Sequence, residues 1–435
     1  MKPSPAELRV LAWPAYDNQD LNPYNALLYT HLARLGVVTD DWSRPRLRSG
    51  RYDVLHLHWP EWALGERRTT RALSNLARWA ADLRRCRAQG VKIVWTVHNL
   101  RSHARLHPWL EWVLWRLVTR SLDGWISLSD TGEHAARERF PLLCRLPSFV
   151  VPHGEYRSWY PHEVYQREAR SRLDLPQTAR VLTFFGRVRA YKNVLALIQA
   201  FGHLADKEAR LVIAGEPEPP ELAAHVERAA ARDARIVLRL GLVPADEVQL
   251  VLTAADLVVL PYQAILNSGA AMLALSFERP VLVPMLGSLG ELRDRAGADH
   301  VRTYTGPLTA TVLGDALAWS ATRSGLAPPN LGFASWPNIA RLTRAAYLTV
   351  CSRPGFDVEE GSDRWSSRRS PLQLQTFPIP RRSLDESSTT SSAATGSGGS
   401  SSWDSHTASL PATSPQRSRP MVAAASSRLT TVRRS

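Results

Sequence analysis

The apolar and polar positions of this chain fall into two alternating periods. Short runs of β-branched and aromatic residues are each followed by apolar residues at helical spacing. The first run, Leu8–Ala12, ends at Trp13-Pro14. A polar loop carrying Asp17, Asn18 and Asn22 then leads to a helix expected over 23–35, with proline in its first turn. A strand over Val54–His58 ends in Trp59-Pro60-Glu61-Trp62, and a long arginine-rich helix over 70–89 closes at Gly90. A strand over Lys92–Val97 ends at His98-Asn99, and a helix over Pro108–Ser121 precedes a strand over Trp125–Leu128. A helix capped by Asp130 and a strand over Phe149–Val151, ending at Pro152-His153-Gly154, complete the set.

The second half repeats the alternation. Val181-Leu-Thr-Phe-Phe185 is strand-like, Gly186 breaks it, and Val194, Leu197, Ile198 and Phe201 mark the helix that follows. Strands are expected over 210–214, 236–240, 257–260 and 280–284, with helices over 220–232, 244–254 and from Asn267-Ser268-Gly269 onward. A last apolar helix spans Trp336–Val350. Strands alternating with helices imply parallel sheets with right-handed crossovers, hence two doubly wound α/β domains. The expected organisation is a first domain over 1–165, a second over 166–335, a final helix over 336–351 that returns to the first domain, and a tail over 352–435. The tail is dominated by Ser, Thr, Pro, Gly and Arg, and its composition predicts disorder.

Composition changes this picture in three places. Only 3 cysteines occur among 435 residues, with no metal-ligand spacing, so a reducing cytoplasm is the expected compartment. No signal peptide and no transmembrane run is apparent. The net charge of +14 calls for an anionic partner, such as a polyphosphate substrate or an anionic membrane surface. The arginines are scattered rather than interleaved with stacking aromatics, so nucleic acid is not expected.

Candidate chemistry lies just past the strand ends, where open α/β sheets bind ligands. In the first domain this edge collects Trp13, Glu61, His98 and His153. In the second, Arg187 and Lys192 lie between a strand and a helix, a suitable grip for a diphosphate. Asn267-Ser268-Gly269 opens a helix whose free N–H groups could hold a phosphate, or it is an ordinary N-cap. Trp109, Trp112 and Trp115 share a segment with Arg116 and Arg120, which suits either a core helix or an anionic lipid interface.

The pieces Phe185-Gly186-Arg187…Lys192-Asn193, Leu211–Gly215, Ala254–Tyr262 and Arg279–Pro284 resemble the two-domain GT-B glycosyltransferases. In that family a nucleotide-sugar sits in the cleft between two Rossmann-like domains. More closely, His56-Leu-His-Trp-Pro-Glu61, Thr96-Val-His-Asn-Leu100, Asn267-Ser-Gly-Ala and Leu275-Ser-Phe are similar to bacterial GDP-mannose:glycolipid 4-β-mannosyltransferases of exopolysaccharide assembly. The resemblance implies transfer of a sugar, mannose from GDP-mannose in the closer match, to a lipid-linked or polysaccharide acceptor. Donor contacts are then expected at Arg187, Lys192, Asn267, Ser268 and Gly269, with His153 either touching donor phosphate or shaping its turn. If the anomeric centre inverts, Glu61 or His98, each just past a strand end, deprotonates the acceptor, with Asp17 as an outside choice. Glu61 could equally be a solvated loop residue, and His98 could bond backbone.

No Asp-x-Asp motif is present, so no metal or other cofactor is expected, and the acceptor implies a peripheral position on the inner membrane face. One departure matters. The two glutamates of the largest related family fall on Ile265 and Leu273, so their retaining mechanism does not transfer. A sugar-nucleotide epimerase of GT-B architecture and a non-catalytic module for anionic polymer remain as alternatives.

Overall fold

The structure is a computed structural model that describes residues 7–102, 106–323 and 327–352. The expected tail beyond Ser352 lies outside the described residues. The strands and helices are β1 (Leu8–Trp13), α1 (Tyr24–Ala33), β2 (Val37–Asp41), α2 (Arg44–Ser49), β3 (Val54–Leu57), α3 (Thr69–Ala88), β4 (Lys92–Val97), α4 (Pro108–Ser121), β5 (Gly124–Ser127), α5 (Asp130–Arg139) and β6 (Ser148–Val150). After α6 (Gln166–Arg172) come β7 (Val181–Phe185), α7 (Val194–Gly202), β8 (Arg210–Gly215), α8 (Leu222–Ala230), β9 (Ile236–Leu240), α9 (Val248–Ala254), β10 (Leu257–Val259), α10 (Gly269–Ser276), β11 (Val281–Pro284), α11 (Leu289–Ala296), β12 (Val301–Tyr304), α12 (Ala310–Ala321) and α13 (Trp336–Cys351).

Two six-stranded parallel sheets result, in the orders β2-β1-β3-β4-β5-β6 and β12-β11-β10-β7-β8-β9. Helices cover both faces, so central strands such as β3 and β11 are buried along their whole length. β2 departs from that rule. Its sequence, Val-Val-Thr-Asp-Asp, buries only Val37, because it is an edge strand, and its apolar signal is correspondingly weak. α2 buries only Leu47. Neither element was expected from the sequence, and neither were α11, β12 and α12.

Within the first sheet, Trp95 of β4 pairs with Trp125 of β5, and Trp115 of α4 packs on Trp95 with ring centroids 5.1 Å apart. Leu110, Leu114, Trp115 and Val118 form the buried stripe of α4. Each such side chain contributes about 1.5–3 kcal/mol. α5 differs in one detail from the expectation. Ser129 rather than Asp130 is its cap, accepting from the Gly132 N–H at 2.9 Å. A Ser at that position ends the strand loop and leaves Asp130 as the first helical residue.

α13 crosses back from the second sheet to pack on α1 and the first sheet. Its Trp336 fills the space beside Gly154, where a Cβ would lie 2.2 Å from the indole ring. This contact excludes any side chain next to His153. The switch points of the two sheets lie between β1 and β3 and between β7 and β10, where the chain reverses its direction of winding. Ligand crevices open outside the carboxyl ends of strands at such points.

Candidate active site

The loops at those two switch points line one cavity of about 560 Å³ between the sheets. From the first sheet it takes Asn18 and Asn22 after β1, Trp59 and Trp62 after β3, His98 and Asn99 after β4, and His153 after β6. From the second it takes Gly186, Arg187, Arg189, Tyr191 and Lys192 after β7, Glu218 after β8, and Asn267, Gly269, Ala270 and Leu273 around α10. Of the residues singled out in the sequence, His98, His153, Arg187, Lys192, Asn267 and Gly269 therefore meet on one cavity wall. Glu61 and Ser268 do not reach it.

The basic loop is shaped by two glycines. Gly186 and Gly215 have φ of +117° and +140°, and a Cβ on Gly215 would lie 2.2 Å from the Gly186 carbonyl oxygen. Only glycine adopts these angles readily and permits that approach. Lys192 is then turned back, its Nζ 6.0 Å from the centre of the Tyr262 ring. Burial, and then Arg189 and Arg187, bring its ammonium down to about 8, against the opposing pull of Glu218.

Arg187 and Arg189 both bond Glu218 Oε2, at 2.8 and 2.7 Å. Burial works to raise the Glu218 carboxyl, but the two guanidinium groups hold it below the usual range. The sequence reading missed Arg189 and Glu218. Arg189 stands two residues after Arg187 in the same basic run, and that spacing was the available signal. Glu218 carried no signal, since only the fold brings the β8 loop to the β7 loop.

At α10, Ser268 accepts from the Ala271 N–H at 3.1 Å and shares a hydrogen bond with the Tyr262 hydroxyl at 3.1 Å. Its hydroxyl is thus committed to capping, and the cavity receives the following residues instead. The N–H groups of Gly269 and Ala270 have no partner among the described residues. Asn267 accepts from Ser129 Oγ at 3.4 Å across the cleft, and its buried Nδ2 has no partner among the described residues. These are free donors at a helix N-terminus, which favours an anion. A Cβ on Gly269 would lie 3.4 Å from His153 Nε2, so that imidazole closes the first-sheet side of the same corner. His153 donates from Nδ1 to the Gly154 carbonyl at 2.9 Å, and burial lowers its imidazole to about 4.

On the first-sheet wall, His98 stacks on Trp59 with centroids 4.4 Å apart. Its Nε2 bonds His58 Nδ1 at 3.0 Å, and its Nδ1 has no partner among the described residues. Burial, then His153 and His56, lower its imidazole well below the ordinary value, so it is neutral near pH 7. Glu61 lies behind this wall, accepting from Asn99 Nδ2 at 3.0 Å, and burial raises its carboxyl to about 7. It is neither the solvated loop residue that one reading allowed nor a group on the cavity surface.

Leu273 is on the wall and buried, while Ile265 lines the neighbouring cleft. Glu218 is thus the only carboxylate on the cavity wall among the described residues. The arrangement can grip a diphosphate with three cations and one helix end, and it presents a neutral imidazole across the gap.

Residues 179–307 match the family model described as "Glycosyl transferases group 1". A GDP-mannose:glycolipid 4-beta-D-mannosyltransferase of Xanthomonas campestris pv. campestris is 32% identical over 338 residues, covering 78% of this chain and 91% of that protein. Sucrose-phosphate synthase from Thermosynechococcus elongatus shares the fold with a TM-score of 0.58 at 16% identity, covering 79% of this chain and 99% of that one. WaaG, a glycosyltransferase of lipopolysaccharide biosynthesis, does so with a TM-score of 0.53 at 15% identity, covering 80% and 100%. Neither the epimerase nor the binding-module alternative finds support among these relatives. The fold, the site between its sheets and this degree of identity agree: the chain belongs to the family of the Xanthomonas mannosyltransferase and is a GT-B glycosyltransferase that moves a sugar from a nucleotide-sugar donor.

Proposed function

We propose that the enzyme transfers mannose from GDP-mannose to a hydroxyl of a lipid-linked saccharide, with inversion at the anomeric carbon and without a metal. The observation that carries this reading is the opposition, across one cavity, of His98 to Arg187, Lys192 and the α10 N-terminus. GDP-mannose is α-linked, and the relative's name specifies a β product. A single displacement inverts that centre and needs a base on the acceptor side, while the departing diphosphate needs its growing charge met.

Arg187 and Arg189 would leave Glu218 for the diphosphate oxygens, with Lys192 adding a compact charge and Gly269, Ala270 and Asn267 adding N–H donors. His98 would take the acceptor proton at Nδ1. Asn22, Trp59 and Trp62 line the acceptor side, where an aromatic ledge suits a sugar face. Glu61 would hold Asn99, and through it the loop that carries His98.

Two further parts of the reading concern location. Among the described residues no helix is long and apolar enough to cross a membrane. The tryptophans of α4 divide: Trp115 is buried, whereas Trp109 and Trp112 are 56% and 59% exposed, with Arg116 over the Trp112 ring at 4.7 Å. We take this exposed face as a peripheral contact with anionic lipid on the cytoplasmic side.

The test is thermal-shift screening of the full chain against GDP-, UDP- and ADP-mannose, with and without EDTA. A ligand that binds only the folded form raises the melting temperature, by an amount set by its concentration over Kd. Selective stabilisation by GDP-mannose that survives EDTA supports the reading. Preference for another base, or dependence on added metal, overturns that part of it.

A further inference from the structure

Behind His98 runs a hydrogen-bonded chain of buried titratable groups that sugar transfer itself does not call for. His98 Nε2 bonds His58 Nδ1 at 3.0 Å, and His58 Nε2 bonds the Tyr29 hydroxyl at 2.7 Å. That hydroxyl also lies 2.9 Å from His56 Nδ1, and His56 Nε2 lies 2.8 Å from Thr96 Oγ1. A second hydroxyl, from Tyr347 of α13, reaches the same His56 Nδ1 at 2.7 Å. Tyr29, His56, His58, Thr96 and Tyr347 are all buried, and burial drives the two imidazoles below their ordinary range. Both histidines are therefore neutral, each with one N–H and one acceptor nitrogen.

Neutrality makes the chain directional. For His98 to accept a proton at Nδ1, its own proton must sit on Nε2 and be donated to His58 Nδ1. His58 then carries its proton on Nε2 and donates to Tyr29. The Tyr29 hydroxyl must in turn donate to His56 Nδ1, and His56 donates from Nε2 to Thr96. Choosing the proton's place at one end dictates it at every step. Tyr347 competes at His56 and also interacts with Tyr29 itself. One imidazole nitrogen takes one donated proton, so when Tyr347 donates to His56, Tyr29 is free to turn to His58 Nε2. The bonds from Tyr29 through His58 then reverse, while His56 still donates to Thr96, and the proton of His98 is left on Nδ1, facing the cavity.

We propose that Tyr29, His58 and His56 are positioning residues that select the His98 tautomer able to act as base, and that Tyr347 of the last helix opposes them at His56. This rests on the reading of His98 as the base. Apart from the acceptor proton taken up by His98, no covalent step is added; protons change places only along existing hydrogen bonds.

The experiment is ¹⁵N NMR of the full chain labelled in histidine, with His98 assigned by the signal lost in His98→Gln, beside steady-state kinetics. The expected result is a wild-type His98 protonated mainly at Nε2, with the Nδ1 form as a measurable minority. Tyr29→Phe should move that proton toward Nδ1 and lower kcat by about 10- to 10²-fold with donor KM unchanged, up to the lower bound of what a general base contributes. Tyr347→Phe removes the competitor and should shift the tautomer the other way. It also reads the chain from its far end should Tyr29→Phe fail to fold. Loss of packing alone would move both variants in the same direction. A wild-type proton on Nδ1, tautomer shifts of the same sign, or no shift would overturn the proposal. Full turnover in His98→Gln would instead overturn the base assignment. An inactive His98→Gln with a tautomer unmoved by either phenylalanine would sink only the coupling.

Discussion

Removing the Arg187 guanidinium separates the donor grip from the fold. Arg187 holds Glu218 at 2.8 Å, with the two side chains 39% and 43% exposed. A pair that open to solvent contributes about 0–1 kcal/mol, and Glu218 keeps Arg189 at 2.7 Å. Arg187→Ala should therefore move the melting temperature by no more than about 3 °C. Turnover is another matter. One donor aimed at developing negative charge is worth about 2.7–4 kcal/mol. Arg189 and Lys192 remain to share the diphosphate, so the expected loss is about 2–3 kcal/mol, or about 30- to 150-fold in kcat/KM. The assay is release of nucleoside diphosphate in the presence of acceptor, with a melting curve on the same preparation. Full turnover would remove Arg187 from the mechanism. An activity loss that merely tracks unfolding would refute the separation itself.

Lys192, with its ammonium brought down to about 8, should give kcat/KM an alkaline limb near that pH, as the charge that meets the diphosphate is lost. Lys192→Met should be slower at pH 7 and lack the limb, which a pH series of initial rates will show. Glu61→Gln keeps an oxygen for Asn99, so most turnover should survive; collapse would make Glu61 the base. Its stability has a definite sign. A carboxyl raised to about 7 when folded makes the wild type lose stability as pH rises from about 4.5 to 7, so Glu61→Gln should melt higher at pH 8 and equally at pH 4. Replacing Trp109 and Trp112 with serine should weaken sedimentation with anionic vesicles while leaving the melting temperature within a few degrees; unchanged sedimentation would remove α4 from the membrane contact.

The legible parts of this molecule are those in which one short segment carries its own signal. The strand-glycine-cation run at 181–192 announced β7, its turn and two cations that line the cavity, because the chemistry and the chain break are adjacent. α4 was read to the residue because its apolar stripe and its opening proline agree. β2 and α2 were missed because an edge strand and a six-residue helix with a single buried leucine have little period to display. The His56-Leu-His58 alternation did carry information: period two puts both imidazoles on one face, and their ring centroids are 4.2 Å apart.

Periodicity and strand-end chemistry are local properties, and they carried the two parallel α/β halves and two of the three cations of the second, Arg187 and Lys192. Only the tertiary structure decided which of these residues share a cavity. It set Glu61 behind Asn99 and His98 in front, committed the Ser268 hydroxyl to a cap, and delivered Glu218 to two arginines from a different strand. It also brought Tyr347, 291 positions away along the chain, to within hydrogen-bonding distance of His56. The physical reason is that burial and hydrogen-bond partners are properties of packed surfaces, and those surfaces are assembled from segments that share no local pattern.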